Sequence, residues 1–425
     1  MLASLISSAL AATLLLTVGV EGGSAHLQAA TTPAGRDKAL QDLPHGWDNL
    51  PGSHLTVYLV TMGPGDQVWE RFGHNAIWIH DAQAGTDVAY NWGLFDFDQE
   101  DFIPRFLEGE MLYWMGGFDA LRMVELYRQE NRTVELQELN LPPARRLALQ
   151  DFVRWNARPD HRFYLYHYFL DNCSTRARDA LDLGLEGVLE RRFSNQPAGE
   201  SWRSVVRRVL EGNIPEYLAL DIILSSPADE AISVWEEMFI PMVLRDRIRE
   251  VQVEGPTGDP IPLVASQQIL FTADRSDPTG RSRIFIPLLA GISLLLGGSA
   301  ALSRGRVPLL LVGGGWSLVS GLLGVVMLFL WLGSGHTFGY GNLNLLQMSP
   351  LGVLLLVLLP VSLFRKGRGR TGHRGALRLA AGVLGLSILG VLLLPFTSQS
   401  GGLVALLAFP LHLGIWWGLQ RRTVV

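Results

Sequence analysis

Residues 307–333 read VPLLLVGGGWSLVSGLLGVVMLFLWLG, a run without a single charge. A helix of this length reaches about 40 Å, enough to cross the ~30 Å hydrocarbon layer of a bilayer. Four further apolar runs, 284–303, 345–364, 379–396 and 402–420, stand in series with it. The whole stretch 284–425 contains 10 Lys or Arg and no Asp or Glu, whereas residues 1–283 hold 25 basic and 40 acidic side chains. Buried helices of a soluble core would keep a polar face, and these have none. The chain therefore divides into an acidic soluble part and an all-α domain of five transmembrane helices. A hydrophobic content of 48% excludes a disordered protein, and the acidic head excludes nucleic acid as a partner. Small-residue patches such as Gly313-Gly314-Gly315 suit close helix packing in lipid.

The basic residues set the orientation. Arg304 and Arg306 lie between the first and second runs. Arg365, Lys366, Arg368, Arg370, Arg374 and Arg378 follow the third, and Arg421 and Arg422 follow the fifth. The alternate loops, 334–344 and 397–401, carry no charge. The positive-inside bias then puts the charged loops in the cytoplasm and the soluble head outside. Arg281 and Arg283 run against this pattern, but they belong to a long translocated domain where the bias is weak. Residues 2–20 form another apolar run, followed by Gly23-Ser24-Ala25. Residues 1–25 thus read as a signal peptide or an N-terminal anchor, and 26–53 as a linker.

Between 54 and 280 the pattern is mixed α+β. Strand signals occur at 54–62, 75–79, 87–92, 132–141 and 261–270. Pro142-Pro143 opens a helix to about residue 156, and 162–170 is aromatic and extended. Asn172 caps a helix that starts near Cys173, and helices are expected over 201–211 and 229–250.

Cys173 is the only cysteine, so no intrachain disulfide is possible. Its place at a helix N-terminus, with Arg176 and Arg178 nearby, favours the reactive thiolate; the alternative is a buried structural thiol. A nucleophilic Cys needs a base, and the base needs an orienting group. His74 opens a strand in Phe72-Gly73-His74-Asn75 and is the first choice over His80, His161 and His167. Asn91, on the strand expected beside it, is the orienting candidate, with Asp87 as runner-up. No Cys/His cluster suggests a metal, and no cofactor is expected.

The blocks Gly63-Pro64-Gly65, Phe72-Gly73-His74, Tyr90-Asn91-Trp92-Gly93, Tyr168-Phe169-Leu170-Asp171-Asn172-Cys173-Ser174-Thr175-Arg176 and Trp235-Glu236-Glu237-Met238-Phe239 resemble the periplasmic domain of Lnb-type lipoprotein N-acyltransferases. The resemblance covers about residues 54–270. It implies a permuted papain-like (NlpC-like) fold, with the His strand before the Cys helix, continued by membrane helices. On that pattern Tyr90, Asn172, Ser174 and Arg176 support the site. His336, Asn342 and Asn344, in the outer loop after the second run, resemble a polar loop of the family's membrane part, although Thr337 replaces the usual proline after the histidine. Read without the family, this cluster either touches a lipid headgroup, positions the head or is an ordinary loop. The aromatic segment 102–115 either packs as core or meets lipid.

The expected function is acyl transfer. Cys173 would take an acyl chain from a membrane phospholipid and pass it to an amine, which the resemblance implies to be a lipoprotein N-terminus. The same nucleophile also suits an extracytoplasmic cysteine peptidase or amidase acting on cell-wall peptides. A non-enzymatic envelope assembly protein is the third reading.

Overall fold

The computed structural model describes residues 47–275, 285–364 and 369–422. The signal or anchor segment, the linker up to residue 46, and Arg281, Arg283, Arg365, Lys366 and Arg368 lie outside the described residues.

The head is built on seven strands: β1 (Leu55–Met62), β2 (His74–Asp81), β3 (Thr86–Leu94), β4 (Leu112–Asp119), β5 (Val134–Leu139), β6 (Phe163–Leu165) and β7 (Val264–Phe271). Every pairing is antiparallel, in the order β7-β5-β1-β2-β3-β4-β6. Strand alternation sorts the side chains onto two faces. Val57, Leu59, Ile77, Ile79 and Trp92 pack beneath helices α3 (Pro143–Asn156) and α4 (Cys173–Gly184). Val60, Met62, Trp78 and Ala89 pack beneath α2 (Ala120–Gln129). Helix α1 (Phe102–Glu108) lies between β3 and β4, so the aromatic segment 102–115 is a short helix followed by a strand.

Beyond α4, α5 (Trp202–Val209) and α6 (Ile214–Ile223) form a helical shelf. The single helix expected over 229–250 is instead a short strand, Ala231–Ser233, and two short helices, Val234–Glu237 and Pro241–Arg247. Pro241 explains the break, because it disfavours helical geometry in the residue before it, and Ile240 is extended.

The C-terminal part holds α7 (Phe285–Leu302), α8 (Arg306–Leu332), α9 (Gly352–Phe364), α10 (Gly369–Leu393) and α11 (Gly402–Gln420). Among the described residues four helices are long and apolar enough to cross a membrane, and α9 is a shorter apolar helix. All five expected runs carry helices, and α9 is the short one among them. The run 345–364 begins as a 3-10 turn and loop, and its described α-helical part is 13 residues, about 20 Å. Small residues make the close approaches. A methyl on Gly324 would lie 2.2 Å from the Met348 carbonyl oxygen, and one on Gly414 would lie 2.2 Å from that of Gly297. In the Gly313-Gly314-Gly315 patch it is Gly313 that packs closely, an added Cβ lying 3.2 Å from Leu359, whereas Gly314 and Gly315 have no such neighbour.

Head and helical domain are fastened by polar contacts. The C-terminal carbonyls of α6 lack partners within their own helix. Asn342 Nδ2 donates to the Ile222 and Ile223 carbonyls at 2.9 and 2.7 Å, and Asn344 Nδ2 donates to Ile222 at 3.0 Å. Asn342 Oδ1 accepts from Gln399 Nε2 at 2.8 Å. Arg203, buried in the shelf, bonds Asp229 at 2.8 Å, and Asp229 accepts from the Ser400 N–H at 3.1 Å.

Candidate active site

Gly73 precedes His74 for a backbone reason. Its φ is +82°, and a Cβ there would lie 2.8 Å from both the Met62 carbonyl oxygen and Met242 Sδ. His74 then begins β2, and alternation turns its ring to the α2 face. There it stacks on Tyr127 of α2, with centroids 6.3 Å apart. Asn91 shares that face, and its Oδ1 lies 3.0 Å from His74 Nε2. Asn91 Nδ2 is held by the Ala89 carbonyl at 3.1 Å. The candidate base and its orienting amide are thus brought together. Asp87 is engaged elsewhere, by His80 Nδ1 at 2.9 Å and Trp78 Nε1 at 2.8 Å.

Cys173 is the first residue of α4 and is partly exposed. Asn172 caps the helix, its Oδ1 accepting from the N–H groups of Ser174 and Thr175 at 2.9 Å each. Asn172 Nδ2 donates to the Tyr168 and Phe239 carbonyls, both at 3.0 Å, so the cap is tied down at both ends. Ser174 Oγ lies within reach of Asn75 Oδ1 at 2.9 Å and the Met238 carbonyl at 2.6 Å. That contact pins the start of α4 to the residue next to His74. At Gly93 a bulge interrupts β3, with φ +83°. A methyl there would make only ordinary contact with Cys173 Cβ, so the backbone angle, not space, calls for glycine.

Main-chain N–H groups of Asn75, Ser174 and Cys173 itself face the sulfur. Burial pushes the Cys173 thiol up to about 11, against the pull of those N–H groups and of Arg132. Burial also lowers His74 to about 4; the Asn91 hydrogen bond opposes this and Arg132 adds to it. Both shifts favour the neutral forms, thiol and imidazole, over a thiolate–imidazolium pair. The arginines expected to favour the thiolate are engaged elsewhere. Arg176 pairs with Asp171 (Nη2 to Oδ2, 2.6 Å) and lies 4.2 Å from the Tyr164 ring centroid. Arg178 pairs with Asp179 and the Trp235 carbonyl. The cation that acts on both thiol and imidazole is Arg132, buried between Glu70, Glu130 and the Tyr127 ring and donating to the Gly63 carbonyl at 3.0 Å. Among the described residues no hydrogen bond joins Cys173 directly to His74; Arg132 acts on both, and Tyr127 stacks on His74 and lies within electrostatic reach of Cys173. Catalytic hydrogen bonds are often long before substrate binds.

The remaining candidates sit apart. Tyr90 is core on the α4 face. His161 stacks on Trp155 and pairs with Asp160, and His167 Nδ1 accepts the Phe169 and Leu170 N–H groups at 3.2 and 3.1 Å. His336 Nε2 lies 2.9 Å from the Phe106 carbonyl, and its ring stacks near Tyr168. His336 thus joins α1 to the outer loop, while Asn342 and Asn344 cap α6. Asn75, Arg132 and Tyr127 were missed in the sequence. Only Asn75 carried a signal there, its place beside His74.

Residues 45–208, which include both His74 and Cys173, match the family model described as the Lnb N-terminal periplasmic domain. No curated protein and no solved structure matches the chain.

Proposed function

We propose that this chain, a member of the Lnb-type family through residues 45–208, is a thiol acyltransferase that works at the outer face of the cytoplasmic membrane. The chain is a membrane protein with an extracytoplasmic domain. The family name points to lipids and lipoproteins in general; the reaction below is our reading. The observation that carries it is the capped helix start: Cys173 lies against Asn75, next to the His74–Asn91 pair, on a head fastened to apolar helices.

The neutral pair reacts as follows. Cys173 Sγ attacks the ester carbonyl of a phospholipid, and its proton passes to His74. The carbonyl oxygen takes up negative charge, and N–H groups at the start of α4 and at Asn75 stabilise it. The carbon–oxygen bond breaks, His74 returns the proton to the departing alkoxide, and Cys173 holds the acyl chain as a thioester. The amine of an acceptor, on the family's pattern a lipoprotein N-terminus, then attacks that thioester. It forms the amide and releases the sulfur, while one amine proton passes through His74 back to the thiol. Donor and acceptor are both confined to the leaflet beside the head, which raises their effective concentration. In this reading the helical domain crosses the membrane several times, with its charged loops in the cytoplasm. The papain-like relation belongs to the same reading: a Cys at a helix start packed on strands that carry the His and its Asn partner.

The test is the full chain in proteoliposomes with labelled phospholipid and a lipoprotein acceptor. Labelled amide on the acceptor, absent with Cys173→Ala, is the expected result. Label released only as free fatty acid, or peptide cleavage instead of acylation, would favour hydrolysis.

A further inference from the structure

His412 lies midway along α11 and is 4% exposed. Neither ring nitrogen has a hydrogen-bond partner among the described residues, and the same holds for Trp316 Nε1 and Ser317 Oγ on α8. The two rings face each other, with centroids 5.8 Å apart. All three residues line one small, partly open chamber of about 10 Å³, together with Gly352 and Leu355 of α9 and Ala380 of α10. The short α9 begins at this depth: a Cβ on Gly352 would lie 2.8 Å from the Ser317 carbonyl oxygen. An ionisable side chain in the interior of an apolar bundle is costly without partners and is commonly tied to function. Here several unpartnered polar groups from two helices converge on one space.

The size and the donor set select the ligand. The volume is about that of one water probe, too small for a headgroup or a sugar. The indole N–H is donor-only, while the imidazole offers one donor and one acceptor and the hydroxyl can do either. A water oxygen accepts two hydrogen bonds and donates two, which matches that set. Among the described residues no carboxylate or second histidine joins this imidazole in a metal-binding group, and a lone imidazole is a poor metal site. We propose that the helical domain binds a water molecule at mid-bilayer depth, bridging His412 of α11 to Trp316 and Ser317 of α8. The site ties α11 to α8 by hydrogen bonds where the lipid supplies none, with α9 packed alongside, and it does not depend on the acyl-transfer reading.

The test uses the full chain, ¹⁵N-labelled at histidine, in lipid vesicles. Solid-state NMR reads magnetisation transfer from water to imidazole while a paramagnetic agent at the membrane surface silences exposed histidines. The expected result is one protected water–imidazole signal, lost in His412→Leu and weakened in Trp316→Phe. Absence of a protected signal in the native chain overturns the proposal. Thermal unfolding gives a second reading with opposite signs. Removing His412 from a hydrated chamber lowers the midpoint; in a dry one, His412→Leu replaces an unpaired imidazole by an apolar side chain and raises it. If His412→Leu does not fold, the native spectrum and Trp316→Phe decide alone.

Discussion

Replacing Asn91 by Ala takes away the side-chain oxygen 3.0 Å from His74 Nε2. The bond is buried, Asn91 being 4% exposed, so the imidazole nitrogen left behind is poorly solvated. An unpaired buried polar group costs about 1–3 kcal/mol. At about 1.4 kcal/mol per decade, the covalent step should slow roughly fivefold to 150-fold if that cost falls on the transition state. The base strength moves the same way. Asn91 is the group that holds the His74 pKa up against burial, so without it the ring is a still weaker base. The assay is single-turnover acylation of Cys173 by labelled phospholipid, with thermal unfolding to confirm that the fold is kept. Asn91→Asp supplies the converse. A carboxylate favours the imidazolium and lifts the His74 pKa above about 4, so the acid limb of the rate profile moves to higher pH. A rate for Asn91→Ala within about twofold of the native chain, with an unmoved acid limb in Asn91→Asp, would refute the orienting role.

Alkylation of Cys173 by iodoacetamide should be slow near neutral pH and climb toward pH 11, because the thiol is pushed up to about 11 and only the thiolate reacts. Arg132→Gln removes a group that pulls that pKa down, so the rise shifts to still higher pH; mass spectrometry against time reads both. Gly73→Ala forces a side chain into φ +82° and against Met62 and Met242, a cost of about 1–3 kcal/mol for the backbone alone, visible as a lower unfolding midpoint. Asn342→Ala uncovers the carbonyls that end α6, so hydrogen exchange over 214–225 should rise while β1 and β2 stay protected.

Local chemistry is what the sequence made legible. The cap at Asn172, the proline start of α3 and the strand alternation around His74 each depend on neighbours in the chain, and each appears in the structure within a few residues. Asn91 could be chosen because consecutive strands tend to pair, and Ala76 does face Asn91 across β2 and β3. Arg132 could not. It reaches the site because β5 inserts beside β1, so that the turn before β5 abuts the Gly63 loop, a non-local pairing that periodicity does not reveal. The surroundings of the thiol were hidden for a related reason. Helix position and nearby arginines suggested a thiolate, but Asp171 and Asp179 occupy those arginines and desolvation outweighs the helix N-terminus. The outer polar loop was visible as a cluster, yet its work of capping α6 depends on where the head rests. Hydropathy alone also does not register that 345–351 is wound as a turn rather than an α-helix.

The central claim is that Cys173 is a nucleophile served by His74. Intact-mass analysis of the full chain, mixed with labelled phospholipid and no acceptor, tests it most directly. The account predicts one acyl chain per protein, mapped to Cys173, released by hydroxylamine, missing in Cys173→Ala and strongly slowed in His74→Ala. A folded native chain that gains no adduct, or gains the same adduct in Cys173→Ala, would contradict it.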